Sequence, residues 1–395
     1  MPDLKKIAEK MAAPGAMLRL TFSLAVMALT LNAVVSWHGY SSSPLREAAS
    51  RSLFASGSRW FFDSGLAEPL PVAALKAAMA VGADPDTALR LEGLATMFLL
   101  AVATVFVLRQ KLGNTAATMA LLFFGANPYL GYYAMQGSSH LYALVFLLLF
   151  WHWSSPPERS LRAALAAGAF AGLACLCRLD AAWAVLIICA FNAARGGLAG
   201  LRDAGIALGV ALVLTLPYAA YQRAQYGNAL YAQEVSLGRW ADLARYGYGP
   251  RETPPSGPLS PAAFLLRDGP AGALKSAFYG LGRTLAYELP RVVYYRLAMF
   301  LAFLGAYAAF ALKKDAPLVF LAAALLPVLP LAPIRQASTG GIEPRYYLWT
   351  LWALCALAGL GLQETLAWSE ARLLSKIASD AAAGAALRKE RKRKE

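Results

Sequence analysis

Charge is scarce in this chain. Only 15% of its 395 residues are Asp, Glu, Lys or Arg, and 58% are hydrophobic, whereas soluble domains carry roughly a quarter charged residues. That scarcity excludes an ordinary water-soluble globule, which could not keep so many apolar side chains from solvent. Cysteine is also sparse. Cys175, Cys177, Cys189 and Cys355 all fall inside apolar runs, which argues for buried packing and against a disulfide framework or a zinc site. The chain has no fixed-period repeat, no phosphate-cradling glycine motif of the P-loop or dinucleotide type and no cluster of metal-ligating residues. A divalent metal ion therefore stays open as a cofactor, with no ligand set to assign it to.

What the chain has in abundance is long apolar runs, the mark of membrane-spanning helices. They predict an all-α integral membrane protein of about ten spans, near 17–36, 93–108, 115–130, 139–153, 161–177, 181–194, 203–221, 293–312, 317–334 and 346–362. Short connections test this count through their charge, because cytoplasmic loops collect Lys and Arg. Arg109 and Lys111, Arg159 and Arg162, Arg195 and Arg202, and Lys313 with Lys314 all fall on the side of Lys5, Lys6 and Lys10. The loop at 131–138 on the other side has no Lys or Arg. Both termini are thus expected in the cytoplasm, with the first span retained as an anchor. The net charge of +14 is then largely a topology signal and needs no nucleic acid partner.

Two long segments interrupt the spans, about 37–92 and 221–292, and both fall on the outer side. Loops of this length are usually functional. The first contains a short helix from Pro44 to Ser56 and an apolar stretch at 70–82 suited to lying along the membrane surface. The second has a Pro-rich hinge and a surface helix at 270–288. Residues 1–362 form the transmembrane domain. Residues 363–395 are expected to begin as an amphipathic helix over 363–380 and end in an unstructured basic tail, LRKERKRKE, that meets anionic membrane lipids.

The order of these parts resembles the C-type polytopic membrane glycosyltransferases, the superfamily of protein mannosyltransferases and lipid A aminoarabinose transferases. Four segments carry the resemblance in sequence: EAASRSLFASG, AEPLPVAALKAAMAVGADPDTALRLEG, AGAFAGLACLCRLDAAW and GGIEPRYYLW. It covers roughly residues 17 to 362 as a succession of weak patterns. The resemblance implies transfer of a sugar from a polyprenyl-phosphate donor to a lipid, glycan or protein acceptor. The site would be the outer face of a bacterial inner membrane, in the cell envelope, where glycans are built. A carboxylate in the first loop would help activate the acceptor, and basic groups would hold the donor phosphate. The chain departs from the pattern at one point. Counting back from Gly57 puts Ser42 and Ser43 where the family usually has an acidic pair, and the nearest carboxylate is Glu47.

Inverting glycosyl transfer needs a base for the acceptor proton and cationic or hydrogen-bonding groups for the departing phosphate. Glu47 and Asp63 are the candidate catalytic acids, among other loop acids that include Glu68 and Asp180. Arg345, Tyr346 and Arg178 are the candidate donor-phosphate ligands. The alternative roles are an interfacial anchor for Arg345 and Tyr346 and, for Arg178 with Asp180, a pair that pins two helices. Asp180, His38, Trp240 and Tyr246 complete the substrate-binding candidates, with the aromatic belt of a membrane edge as the plainer reading for the last two. The outer segments are rich in Arg and have only Lys76 and Lys275 as lysines, a bias suited to gripping phosphate. Two other functions fit the same composition: a catalytically silent relative acting as a binding or assembly subunit, and a transporter or flippase for a lipid-linked glycan.

Overall fold

The computed structural model describes residues 15–43, 47–48, 68–155, 159–246, 257–334 and 342–394. Its first half is built from α1 (Ala16–Gly39), α2 (Pro69–Ala80), α3 (Pro85–Lys111), α4 (Asn114–Gly125), α5 (Pro128–Met135), α6 (Ser139–Ser154) and α7 (Leu161–Cys177). Then come α8 (Ala181–Tyr226), α9 (Tyr231–Tyr246), α10 (Pro261–Leu265), α11 (Gly269–Arg283), α12 (Leu289–Val293), α13 (Arg296–Ala311), α14 (Ala316–Leu325) and α15 (Leu348–Lys394). No strand occurs among the described residues.

Local sequence sets the helix starts. Proline stands in the first turn of α2, α3, α5 and α10, where its missing N–H has no helical partner to lose. Asp84, Asn127, Ser160 and Ser260 cap α3, α5, α7 and α10 by accepting a bond from a first-turn N–H. Asn127 does more. It is fully buried, and its amide donates to the carbonyls of Val292 and Val293 at 3.0 and 3.1 Å. Its own carbonyl accepts from Asn32 at 2.8 Å. The bend between α4 and α5 is thereby fixed to both α1 and α12.

Among the described residues, four helices are long and apolar enough to cross a membrane: Leu18–Gly39, Pro85–Lys111, Ala181–Tyr226 and Pro344–Leu373. A fifth is reached if α5 and α6, which meet at 112°, count as one broken span. The remaining apolar helices are shorter, among them α4, α7 and α13. The long α8 is broken at Gly197, whose φ of 58° is outside the helical range. A Cβ on Gly200 would sit 2.4 Å from the Asn192 carbonyl, whereas eight residues along a straight helix are about 12 Å apart. The chain therefore doubles back at Gly197, and α8 is two halves. They contain the runs predicted at 181–194 and 203–221.

Several expectations are corrected. The segment 131–138 is not a plain loop, because α5 runs to Met135 before the chain turns into α6. The helix Tyr231–Tyr246 lies where the sequence reading had only an outer segment. The predicted span at 317–334 is helical only through Leu325, then a short 3-10 turn over Leu326–Val328. The basic tail is not unstructured: α15 continues to Lys394. The helix expected from Pro44 to Ser56 lies almost wholly outside the described residues. The surface stretch at 70–82 matches α2, and 270–288 matches α11 with the π-turn Thr284–Glu288 behind it.

Small residues set the closest helix contacts. A Cβ on Gly305 of α13 would lie 1.8 Å from the Leu357 carbonyl of α15, and one on Gly361 would lie 2.1 Å from that of Leu301. Gly359 is as tight against Ala116 of α4. Without a hydrophobic drive between helices in lipid, this close backbone approach is what holds them together. The four cysteines are buried in the same interior.

Candidate functional site

Four chain segments meet at one end of α6, α7 and α8. Arg178 ends α7, and its backbone N–H still bonds to Ala174 O in the helix at 2.9 Å, while its φ and ψ are extended. Its guanidinium grips Asp180 with two bonds, Nε to Oδ1 at 2.8 Å and Nη2 to Oδ2 at 2.6 Å. Nη1 reaches Glu68, which precedes α2, and Ser139, at the start of α6, both at 3.1 Å. The Ser139 hydroxyl also donates to Glu68. Burial works against the Arg178 charge, but Asp180 and Glu68 more than offset it, so its pKa is raised. Arg178 is a fixed cation.

Beside this cluster lies a cavity of about 260 Å³. Arg178, Asp180 and His140 line its polar side, and Trp183, Ile187, Phe264, Leu265 and Leu331 supply apolar wall. Trp240 of α9 and Tyr346 also line it, with their rings 5.2 Å apart. His140 is buried and packs edge-on to Tyr346 at 5.1 Å, and its carbonyl accepts from the Trp349 indole at 2.7 Å. Arg345 stands next in the chain. Its Nε is 2.7 Å from Glu343, its guanidinium lies over the Tyr346 ring at 5.3 Å, and it feels the charges of Arg178 and Glu68.

Of the residues singled out from sequence, Arg178, Asp180, Trp240 and Tyr346 share this cavity, and Arg345 is adjacent to it. Glu47 belongs to a different group. It accepts from the Ser42 hydroxyl, whose backbone N–H bonds to Asp86 at 3.3 Å. Asp86 in turn holds Arg90 at 2.7 Å, and Arg90 donates to the Trp37 carbonyl. His38 is exposed at the end of α1. Tyr246 ends α9, with its side chain outside the described residues, and Asp63 is outside them altogether. Sequence reasoning counted Glu68 only among many loop acids and left Ser139, Phe264 and Trp349 out. The Glu-Pro pair at 68–69, a cap position before a proline-led helix, was the available signal. Among the described residues no group of three or more His, Cys, Asp or Glu side chains could hold a metal ion. Glu68 and Asp180 are both paired with Arg178.

In chemical terms, the cavity lining offers a buried fixed cation, one carboxylate and an imidazole beside aromatic and aliphatic side chains. It suits a ligand with an anionic head and an apolar tail.

By sequence, the chain matches no family profile and no curated protein. In fold it is similar to ArnT from Cupriavidus metallidurans, solved bound to undecaprenyl phosphate (TM-score 0.55, 15% identity) and in the apo state (0.54, 16%). These alignments cover 89% and 91% of this chain but 61% and 62% of ArnT. It is also similar to the archaeal oligosaccharyltransferase AglB from Archaeoglobus fulgidus, solved with an inhibitory peptide and a dolichol-phosphate (0.51, 14%), over 91% of this chain and 51% of AglB. The chain thus spans about three fifths of the first protein and half of the second. The likeness is one of fold, which the chain shares with ArnT and AglB.

Proposed function

We propose that this protein transfers a sugar from a polyprenyl-phosphate donor to a lipid, glycan or protein acceptor. The observation that carries this reading is one cavity lined both by Arg178 and by the apolar side chains of Trp183, Ile187, Phe264 and Leu331. A polyprenyl phosphate has the same division between anionic head and apolar tail. ArnT and AglB, with which the chain shares its fold, were solved with such lipids. The setting we propose is the outer face of a bacterial inner membrane, with ten spans and both termini in the cytoplasm. The ten-span count uses the shorter apolar helices together with the two halves of α8 and the broken α5–α6 pair.

In this reading the acceptor oxygen attacks the anomeric carbon as a carboxylate takes its proton. The bond from that carbon to the phosphate oxygen breaks, and the electron pair leaves on the polyprenyl phosphate. Arg178 and Arg345 stabilise the charge that develops there, in a site where burial strengthens the interaction. Tyr346, Trp240 and His140 border the space for the sugar. Glu47, Asp63, Glu68 and Asp180 are the candidate bases.

The test is turnover in proteoliposomes supplied with polyprenyl-phosphate sugars and a panel of acceptors. Wild type is compared with Glu47→Gln, Asp63→Asn, Glu68→Gln, Asp180→Asn and Arg345→Ala. The reading expects turnover by wild type, abolished by one acid variant that still folds and binds donor, and a drop of about 100-fold or more for Arg345→Ala, the scale of losing one charge-stabilising donor. One observation favours a second reading, a catalytically silent binding or assembly subunit: both acids beside the cavity are already paired with Arg178. Donor binding without transfer to any acceptor would decide for it. Movement of the intact lipid-linked glycan across the bilayer would instead decide for a flippase.

A further inference from the structure

A second cavity, of about 230 Å³, opens at the opposite end of α6 and α7, beside the break in α8. Its polar lining has Ser155, Arg159, Asn192, Arg195 and one carboxylate, Asp203, and its apolar lining includes Ala163, Ala167, Ala204 and Ala207. Small side chains on the facing surfaces of α7 and α8 leave a slot between two helices of the bundle. The rim is ordered by local bonds: Asn192 donates to the Ser154 carbonyl at 3.1 Å and accepts from the Ser155 hydroxyl at 3.2 Å.

The rim is short of negative charge. Arg202 and Arg159 share Asp203, but Arg202 holds it at 2.9 Å, which leaves Arg159 at 3.9 Å. The other contact of Arg159 is a long one, 3.5 Å to the Gly196 carbonyl. Arg195 is paired with Asp315. Among the charged groups that line the cavity, two guanidinium groups, Arg159 and Arg195, therefore face one carboxylate, Asp203, an excess of one positive charge. The Ser160 cap of α7 borders the cavity, and so does Gly200, just past the break at Gly197 that begins the second half of α8. The last turns of α6 and of the first half of α8 line it as well, so the helix dipoles offset one another and the guanidinium groups carry the attraction for an anion.

We infer that this cavity binds the phosphate of an anionic phospholipid, with Arg159 and Arg195 on the headgroup and the start of an acyl chain in the alanine-lined slot. A phosphodiester monoanion matches the single excess charge, and the guanidinium fork matches its oxygens. A basic recess between membrane helices is a setting in which such headgroups are held. A free phosphate shares the headgroup chemistry but does not use the slot. The site is separate from the sugar-donor cavity, and neither reading depends on the other.

The experiment reconstitutes the protein in nanodiscs of neutral phosphatidylcholine, alone, with phosphatidylglycerol, or with glycerol phosphate in the buffer. Thermal unfolding and native mass spectrometry are read for each. We expect a saturable rise in Tm with phosphatidylglycerol, one phosphatidylglycerol retained per protein, and no such rise with glycerol phosphate. The double variant Arg159→Gln with Arg195→Gln is expected to weaken this binding at least tenfold while unfolding normally in neutral lipid. Asn192→Asp, which adds a negative charge to the rim at nearly constant volume, is a second route to the same loss should the double variant fail to fold. Equal Tm and equal retention in the two lipids would overturn the inference, as would wild-type retention by the variants. An effect of glycerol phosphate as large as that of the lipid would overturn the lipid assignment.

Discussion

Arg178 has two jobs that pull on the same side chain. It fixes the turn between α7 and α8 through Asp180, and it ties that turn to Glu68 before α2 and to Ser139 before α6. With its side chain only 12% exposed, replacement by Gln leaves two carboxylates in the interior with no cation between them. Breaking a buried pair in this way costs about 3 kcal/mol or more, so Arg178→Gln should lower the unfolding midpoint in detergent far more than Glu68→Gln does. Equal effects would mean that the network is dispensable. Asp84 permits a pH prediction. Bonds from the Thr87 side chain and backbone hold its carboxyl below the usual carboxylate value. A carboxyl whose folded pKa is depressed stabilises the fold above its unfolded pKa of roughly 4, and that contribution is lost as pH falls through the folded value. Asp84→Ala is therefore expected to lower Tm at pH 7 and to make less difference at pH 3.

At the level of elements, glycine decides how near α13 and α15 come. Gly305 faces the Leu357 carbonyl and Gly361 faces that of Leu301, each with no room for a Cβ. Gly305→Val must push the two helices apart, with a loss of about 1–3 kcal/mol from overpacking. A lower denaturation midpoint is the expected reading, and an unchanged one would show that the interface can slide. Such contacts are hard to read from a sequence, because a glycine in an apolar run looks the same wherever it faces. Other elements were open to misreading for similar reasons. The Asn127–Pro128 pair is a helix-start signal, but it lies inside one continuous apolar run and was absorbed into a single span. The helix Tyr231–Tyr246 mixes polar and apolar residues and has no long apolar run to announce it.

For the molecule as a whole, the apolar runs and the placement of Lys and Arg were enough to read an all-helical membrane protein and an order of parts. The site was only partly legible. Arg178 and Asp180 are two positions apart, and charge in a tight turn between apolar runs draws notice. Glu68 is 110 positions from Arg178, and only the folded chain shows that they meet. Reporter fusions after residues 111, 159, 200 and 314 test the topology. All four, with both termini, should report the cytoplasm, and any one of them facing outward would break the ten-span scheme.

The central claim is that the cavity beside Arg178 receives the phosphate end of a polyprenyl-phosphate lipid. The most direct measurement is photo-crosslinking with a polyprenyl phosphate bearing a photoreactive group near its phosphate, followed by peptide mapping. The account predicts labels on the peptides that carry Trp183, Trp240, Phe264 and Tyr346, and competition by unlabelled polyprenyl phosphate. Labels confined to the outward faces of α1 and α13, and insensitive to competitor, would contradict it.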